Sequence, residues 1–162
     1  MKFVSIAQLR VQCAADLAGA DDAQLTVYAD AAEQTVQRMC NRAIFLDASE
    51  RDAARAALPA AMAAAYTTYD AAINAAQAQS DKRNIAFQTD LANDALRAEH
   101  AKADAISNSI VIQPDIIEAI LLLTAHYYRN REAVETGSGA AAVEVPEAAS
   151  HIMERYRHLG PL

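Results

Sequence analysis

The residue types best suited to chemistry crowd the last part of the sequence. His151, Glu154 and His158 stand at i, i+3 and i+7, a spacing that places all three on one face of a helix. Zinc is held by such residues, but three from one helix need a further ligand from a second element. The same residues also form ordinary surface pairs, Glu147 with His151 and Glu154 with His158, each four apart. Asp90 and Asp94 are a second pair at i, i+4. A di-metal helical bundle requires Glu-x-x-His from two helices, and Glu154 to His158 is one residue too long. Cys13 has no histidine near it in the sequence, so a nucleophile-base pair is not indicated. His126 reads as a hydrogen-bonded core or interface residue, and His100 as an exposed one. A small helical metal-binding or enzymatic bundle is therefore the alternative reading. No catalytic residue, metal ligand set or cofactor is assigned.

Two clusters of tyrosine and arginine stand out more. Tyr127, Tyr128, Arg129 and Arg131 form one; Arg155, Tyr156 and Arg157 form the other. Tyrosine and arginine are enriched among the residues that carry binding energy at protein interfaces. The same pattern arises where tyrosines finish a core and arginines offset the negative end of a helix dipole. Tyr127, Tyr128, Arg129, Arg131, Tyr156 and Arg157 are the candidate interface residues.

The elements that must position these residues are helical. Ser5 can cap a first helix from Ile6 to about Ala18, ended by Gly19. Asp21-Asp22 opens a second, about 22–41, whose Leu25, Tyr28, Ala29, Ala32, Val36, Met39 and Cys40 recur on one face. Pro59 suits the first turn of a third helix, with a seam through Met62, Tyr66, Tyr69, Ile73 and Ala76. After Ser80-Asp81 a fourth carries a seam through Phe87, Leu91, Asp94/Ala95, Ala98, Ala101 and Ala105. Residues 108–113 are a short β-branched stretch. Pro114, with Gln113 at the N-cap, opens the most apolar helix, predicted to reach Val134. Residues 136–145 read as a flexible loop around Gly137 and Gly139. Pro146 opens a last helix to about His158, with Ala149, Ile152, Met153 and Tyr156 as its apolar face.

Composition agrees. Of 162 residues, 40 are alanine and only eight are glycine or proline, so a turn-rich sheet fold is excluded. The chain is all-α by this reading. Its net charge of −7 is spread along the sequence without a basic stripe, which argues against tight nucleic-acid binding. The two cysteines fit small buried residues of a reduced compartment. No signal peptide is visible, and the longest apolar run, Ile116 to Ala125, contains Glu118 and is too short to span a bilayer. Glycine-rich phosphate loops, HExxH, EF-hand and G-x-S-x-G motifs are absent from the sequence.

Both ends of the chain resemble the head–tail connector (neck adaptor) family of long-tailed bacteriophages. The start, Phe3-Val4-Ser5-Ile6-Ala7-Gln8-Leu9-Arg10, is similar to the family's opening segment. Leu25 to Gln34 and the ending Cys40-Asn41-Arg42-Ala43-Ile44-Phe45 look like its second helix and its Asn-Arg-x-aliphatic close. Ala119 to Val134, with Asn130-Arg131-Glu132, resembles its long helix, and Val145-Pro146 through Tyr156-Arg157 its last element. The resemblance covers 1–46 and 109–162 and implies two halves of a connector core. Residues 47–108 fall outside it and are expected to form an inserted alanine-rich helical hairpin that returns the chain to its starting point. The resemblance implies a structural virion protein of the neck, assembled in the host cytoplasm. It implies a homo-oligomeric ring of twelvefold symmetry beneath the portal protein, meeting tail-side neck or tail-terminator proteins. Such a ring completes the head after packaging and extends the channel through which DNA passes without specific binding. No membrane or cofactor is implied. In relatives the C-terminal region tends to reach the portal, which makes Tyr156 and Arg157 candidates for that contact.

Overall fold

A computed structural model describes residues 1–14, 21–130 and 146–159. Among them are six helices and two very short strands: α1 Ile6–Cys13, α2 Asp22–Cys40, β1 Ile44–Phe45, α3 Ala48–Gln77, α4 Lys82–Ser107, β2 Ile110–Val111, α5 Pro114–Arg129 and α6 Glu147–Tyr156. The protein is all-α. The chain divides into two compact units, residues 1–47 with 110–162, and residues 48–109.

The first unit is built around α5, which packs against α1, α2 and α6. Ile116, Ala119, Ile120, Leu123 and Ala125 of α5 are buried with Leu9 of α1, Leu25, Ala29, Ala32 and Val36 of α2, and Met153 of α6. Each fully buried Leu or Ile contributes roughly 1.5–3 kcal/mol. Thr124 is fully buried on α5 and donates its hydroxyl hydrogen to the Ile120 carbonyl at 2.8 Å, so its polar atom is satisfied within its own helix.

Local chemistry sets the helix ends. Ser5 and Gln8 form a capping box at α1: Ser5 Oγ accepts the Gln8 N–H, and Gln8 Oε1 accepts the Ser5 N–H at 2.8 Å. The helix stops at Cys13, earlier than the predicted Ala18. Ala14 adopts a left-handed conformation with φ 50°, and its N–H closes on the Arg10 and Val11 carbonyls. Gly19, the predicted terminator, lies outside the described residues. Asn41 ends α2 in the same left-handed conformation, which asparagine tolerates better than most residues. Pro114 occupies the first turn of α5, where its missing N–H costs nothing. Asn130 caps α5 and the predicted extension to Val134 lies outside the described residues, as does the loop 136–145.

β1 and β2 run parallel, with Ile44 opposite Ile110 and Phe45 opposite Val111. Ile112 N–H donates to the Phe45 carbonyl at 2.8 Å and Ile110 N–H to the Ala43 carbonyl at 3.1 Å. Parallel neighbours cannot be joined by a tight turn and need a long crossover. Here the crossover is the pair α3 and α4, so the chain leaves and re-enters this unit at adjacent points.

The second unit is that pair. Asp81 caps α4 by accepting the Arg83 N–H at 2.9 Å. Tyr69 donates to Asn93 Oδ1 at 3.1 Å, and Tyr66 Oη lies 3.2 Å from His100 Nε2 with the rings edge to face. Arg55 donates to the Ser109 carbonyl at 2.8 Å. Two expectations are corrected here. Pro59 sits inside α3 rather than at its start. It forfeits the bond to the Arg55 carbonyl, a cost of about 3 kcal/mol that alanine propensity on both sides and packing against α4 must offset. The α4 seam is also out of phase with the prediction. Ala92 is buried, and the half-buried positions step through Ile85, Thr89, Leu96, Glu99 and Ala103. Phe87 and Leu91 are 59% and 49% exposed.

Candidate interface site

The tyrosines of both predicted clusters turn out to be tied inside the first unit. Tyr128 is half-buried and donates to Asp21 Oδ2 at 2.5 Å, joining α5 to the residue that caps α2. Tyr127 Oη lies 3.3 Å from Thr35 Oγ1 on α2. Tyr156 hydrogen-bonds both carboxylate oxygens of Asp115 at 2.9 Å, and Arg155 Nη2 reaches the same carboxylate at 2.6 Å. The Arg155 guanidinium also lies 5.9 Å from the centre of the Tyr156 ring. Burial, reinforced by the Asp115 acceptor, pushes the Tyr156 phenol above its ordinary value, while Arg155 opposes that shift.

These contacts give the tyrosines a structural task. An α-helix presents its aromatic side chains over neighbouring turns, and each hydroxyl needs a partner once the ring is covered. Asp21, Thr35 and Asp115 are those partners. Asp115 stands in the first turn of α5, where an acid suits the helix dipole, and nothing in the sequence singles out Thr35. Nothing in their spacing announces contacts across 92 or 107 residues.

The arginines differ from the tyrosines. Arg129 and Arg157 are exposed. Arg129 acts on the Cys13 thiol, which burial nevertheless raises above its ordinary pKa. Arg157 borders an open groove with Arg38, Met39, His158 and Leu159. Arg131 lies outside the described residues. The candidate interface residues thus divide into half-buried anchors, Tyr127, Tyr128 and Tyr156, and surface cations, Arg129 and Arg157.

A buried acid went unnoticed in the sequence. Glu33 is 5% exposed, and its carboxylate accepts the backbone N–H groups of Lys2 and Phe3 at 2.8 Å. It lies next to Ala32 on the buried side of α2, and nothing in its type or spacing singles it out in the sequence.

The metal-ligand constellation is not assembled as its spacing suggested. α6 ends at Tyr156, and Arg157 is extended, with ψ 125°. His158 therefore leaves the helical face of His151 and Glu154. Its N–H donates to the Cys40 carbonyl at 2.8 Å, and its carbonyl accepts from Asn41 Nδ2 at 3.2 Å. His151 is exposed, 3.5 Å from Glu147 and 3.9 Å from Glu154. Asp94 pairs with Arg97 at 3.0 Å. Among the described residues no group of three or more His, Cys, Asp or Glu side chains is placed to hold a metal. His126 bonds Asn130 through Nδ1 at 3.2 Å, and His100 is exposed. Both cysteines are buried, and burial pushes Cys40 up to about 11, so it is a thiol at neutral pH. No described helix is long and apolar enough to cross a membrane.

Comparison with known proteins gives one match. No curated protein and no solved structure matches the chain. The family model described as phage gp6-like head–tail connector protein matches residues 4–157, a span that runs through both compact units. With that coverage of an all-α chain, the protein belongs to the gp6-like head–tail connector family of bacteriophages and is a structural component of the virion.

Proposed function

We propose that the protein forms a homo-oligomeric ring, of twelvefold symmetry, between the portal and the tail, and that the ring completes the head after packaging and extends the DNA channel. The observation that carries this reading is the family match over residues 4–157. Two physical features support it. A net charge of −7 without a basic stripe suits a wall past which DNA must slide without sticking. The first unit, with every tyrosine hydroxyl of the clusters tied inside, is a rigid block that leaves Arg129 and Arg157 outward for a neighbouring subunit or the portal. Assembly takes place in the host cytoplasm, tail-side neck proteins bind the far face, and no catalysis is involved. Residues 47–108 are an insertion in the connector core.

The experiment is to add the purified chain to DNA-filled capsids that carry a portal but lack their neck. Binding, with rings seen by electron microscopy at the portal vertex, is expected. A chain that neither binds such capsids nor forms rings at any concentration overturns the reading.

A further inference from the structure

The first unit leaves few of its acids without a partner. Asp21 is held by Tyr128, Asp22 by Arg10, Asp30 by the amine of Met1, and Asp115 by Arg155 and Tyr156. Glu33 accepts the Lys2 and Phe3 N–H groups, and His151 stands beside both Glu147 and Glu154. Asp47 has a partner too. Glu118 differs: it is exposed on α5 and has no partner among the described residues. Leu121 and Leu122, three and four positions further on and so on the same helix face, are only half-buried.

Two arginines of the same unit lack an acid in the same way. Arg38 at the end of α2 and Arg157 just beyond α6 are exposed, and among the described residues neither forms an ion pair. Both border one open groove of about 700 Å³. Glu154 also lines it, 3.9 Å from His151. Met39 and Leu159, 36% and 78% exposed, add apolar surface beside the two guanidinium groups. The groove has a fixed wall, because His158 donates its N–H to the Cys40 carbonyl and accepts from Asn41 Nδ2 through its own carbonyl. A cation in the last turn of α2 suits the helix dipole, which accounts for Arg38 alone. Arginine and methionine together on one exposed surface are what protein interfaces are enriched in.

Charge selects the occupant. Arginines beside apolar side chains match a carboxylate beside apolar side chains, which is what Glu118 presents with Leu121 and Leu122. Copies of a chain with net charge −7 repel, and they meet at least electrostatic cost where a basic patch of one faces an acidic patch of the other. We propose that the groove between α2 and α6 is a subunit-to-subunit contact, in which Glu118 of one copy docks between Arg38 and Arg157 of the next. Leu121 and Leu122 then cover Met39 and Leu159. Two unlike patches on one chain join copies head to tail, and contacts of that kind close into rings. This rests on the ring reading and names the contact that would build the ring.

Charge reversal in the full-length chain tests the contact. Arg157→Glu and Glu118→Arg are compared with the double variant that carries both, by sedimentation velocity at low ionic strength. Both positions are exposed, so each chain is expected to keep its helical circular dichroism. Each single reversal is expected to weaken self-association about tenfold or more, and the double variant to recover most of it, because the two charges are then exchanged rather than lost. Should Arg157→Glu lose its helical signal, Arg38→Glu on the same groove takes its place. Single reversals that assemble like the wild type, a double variant no better than either single, or a wild-type chain that is monomeric at its highest soluble concentration each overturns the proposal. An Arg157→Glu chain that assembles normally but no longer binds portal-bearing capsids overturns it too, and gives the groove to a different protein. Rings that persist in both single variants reject this contact and leave the ring reading standing. Recovery in the double variant of a chain that forms no rings and binds no such capsid supports the contact and rejects the ring reading instead.

Discussion

Tyr128 donates its hydroxyl hydrogen to the Asp21 carboxylate at 2.5 Å, fastening the C-terminal half of α5 to the start of α2. The two residues are 107 positions apart. Hydrogen bonds to a charged acceptor contribute about 1.5–3 kcal/mol when partly shielded from water. Tyr128→Phe keeps the ring and removes the hydroxyl that makes this bond. The expected outcome is a loss of about 1–2 kcal/mol in urea unfolding, with the slope unchanged. An unchanged midpoint would mean the bond contributes nothing.

Acid should weaken the first unit through Asp22. Arg10 hydrogen-bonds its carboxylate at 2.8 and 2.5 Å and holds its pKa below the ordinary carboxylate range. A group with a depressed folded pKa contributes stability above its unfolded value near 3.9, and that stability is lost as pH falls through the folded value. Asp22→Asn should therefore match the wild type more closely at low pH than at pH 7. Unfolding midpoints measured from pH 6 down to pH 2 for both chains check the sign. A difference that grows toward low pH would contradict it.

Cysteine accessibility tests the core. Cys40 is fully buried, its thiol is raised to about 11, and its Sγ lies 3.8 Å from the Met153 carbonyl. Only a thiolate reacts with a disulfide reagent, and burial here suppresses both exposure and ionisation. Native protein at pH 7.5 should release almost no thionitrobenzoate from Ellman's reagent over minutes, and two equivalents after denaturation. Prompt native-state reaction of the remaining thiol in a Cys13→Ala chain would show an opening near α2 and α6.

The pairing of Ile44 with Ile110 makes a deletion informative. Replacing residues 49–108 with a short Gly/Ser linker should leave the first unit helical, because every residue of its core cluster lies outside that range. Cooperative thermal unfolding followed at 222 nm is the readout. Loss of cooperativity would mean that the crossover helices are needed to fold the unit they leave.

The correction at α4 explains why part of the molecule could not be read in advance. Phe87, Leu91, Asp94/Ala95 and Ala98 recur in steps of four and three, as do Ile85, Thr89, Ala92, Leu96, Glu99 and Ala103. Both stripes have helix-pairing periodicity. Periodicity gives the spacing of a buried stripe and not its phase, and alanine fills both sides of the helix, so size does not discriminate. The choice falls to α3: the Tyr69–Asn93 and Tyr66–His100 contacts bring one edge of α4 inward and leave Phe87 and Leu91 outside. The candidate interface shows the same division. That Tyr127, Tyr128 and Tyr156 mattered was legible from their type and position near helix ends. That their hydroxyls serve Thr35, Asp21 and Asp115 was not, because those partners come from distant elements.

By itself the sequence determined that the chain is helical, the N-caps Ser5 and Gln113, and that α5 is the most apolar helix, because propensity, capping and 3.6-residue periodicity act within a few residues of each position. Tertiary structure alone decided which stripe of α4 is buried, that Glu33 is enclosed, and that His158 leaves the face of His151 and Glu154. Each of those outcomes depends on a side chain or backbone group brought from another element. Such contacts are set by packing in three dimensions, which local spacing does not encode.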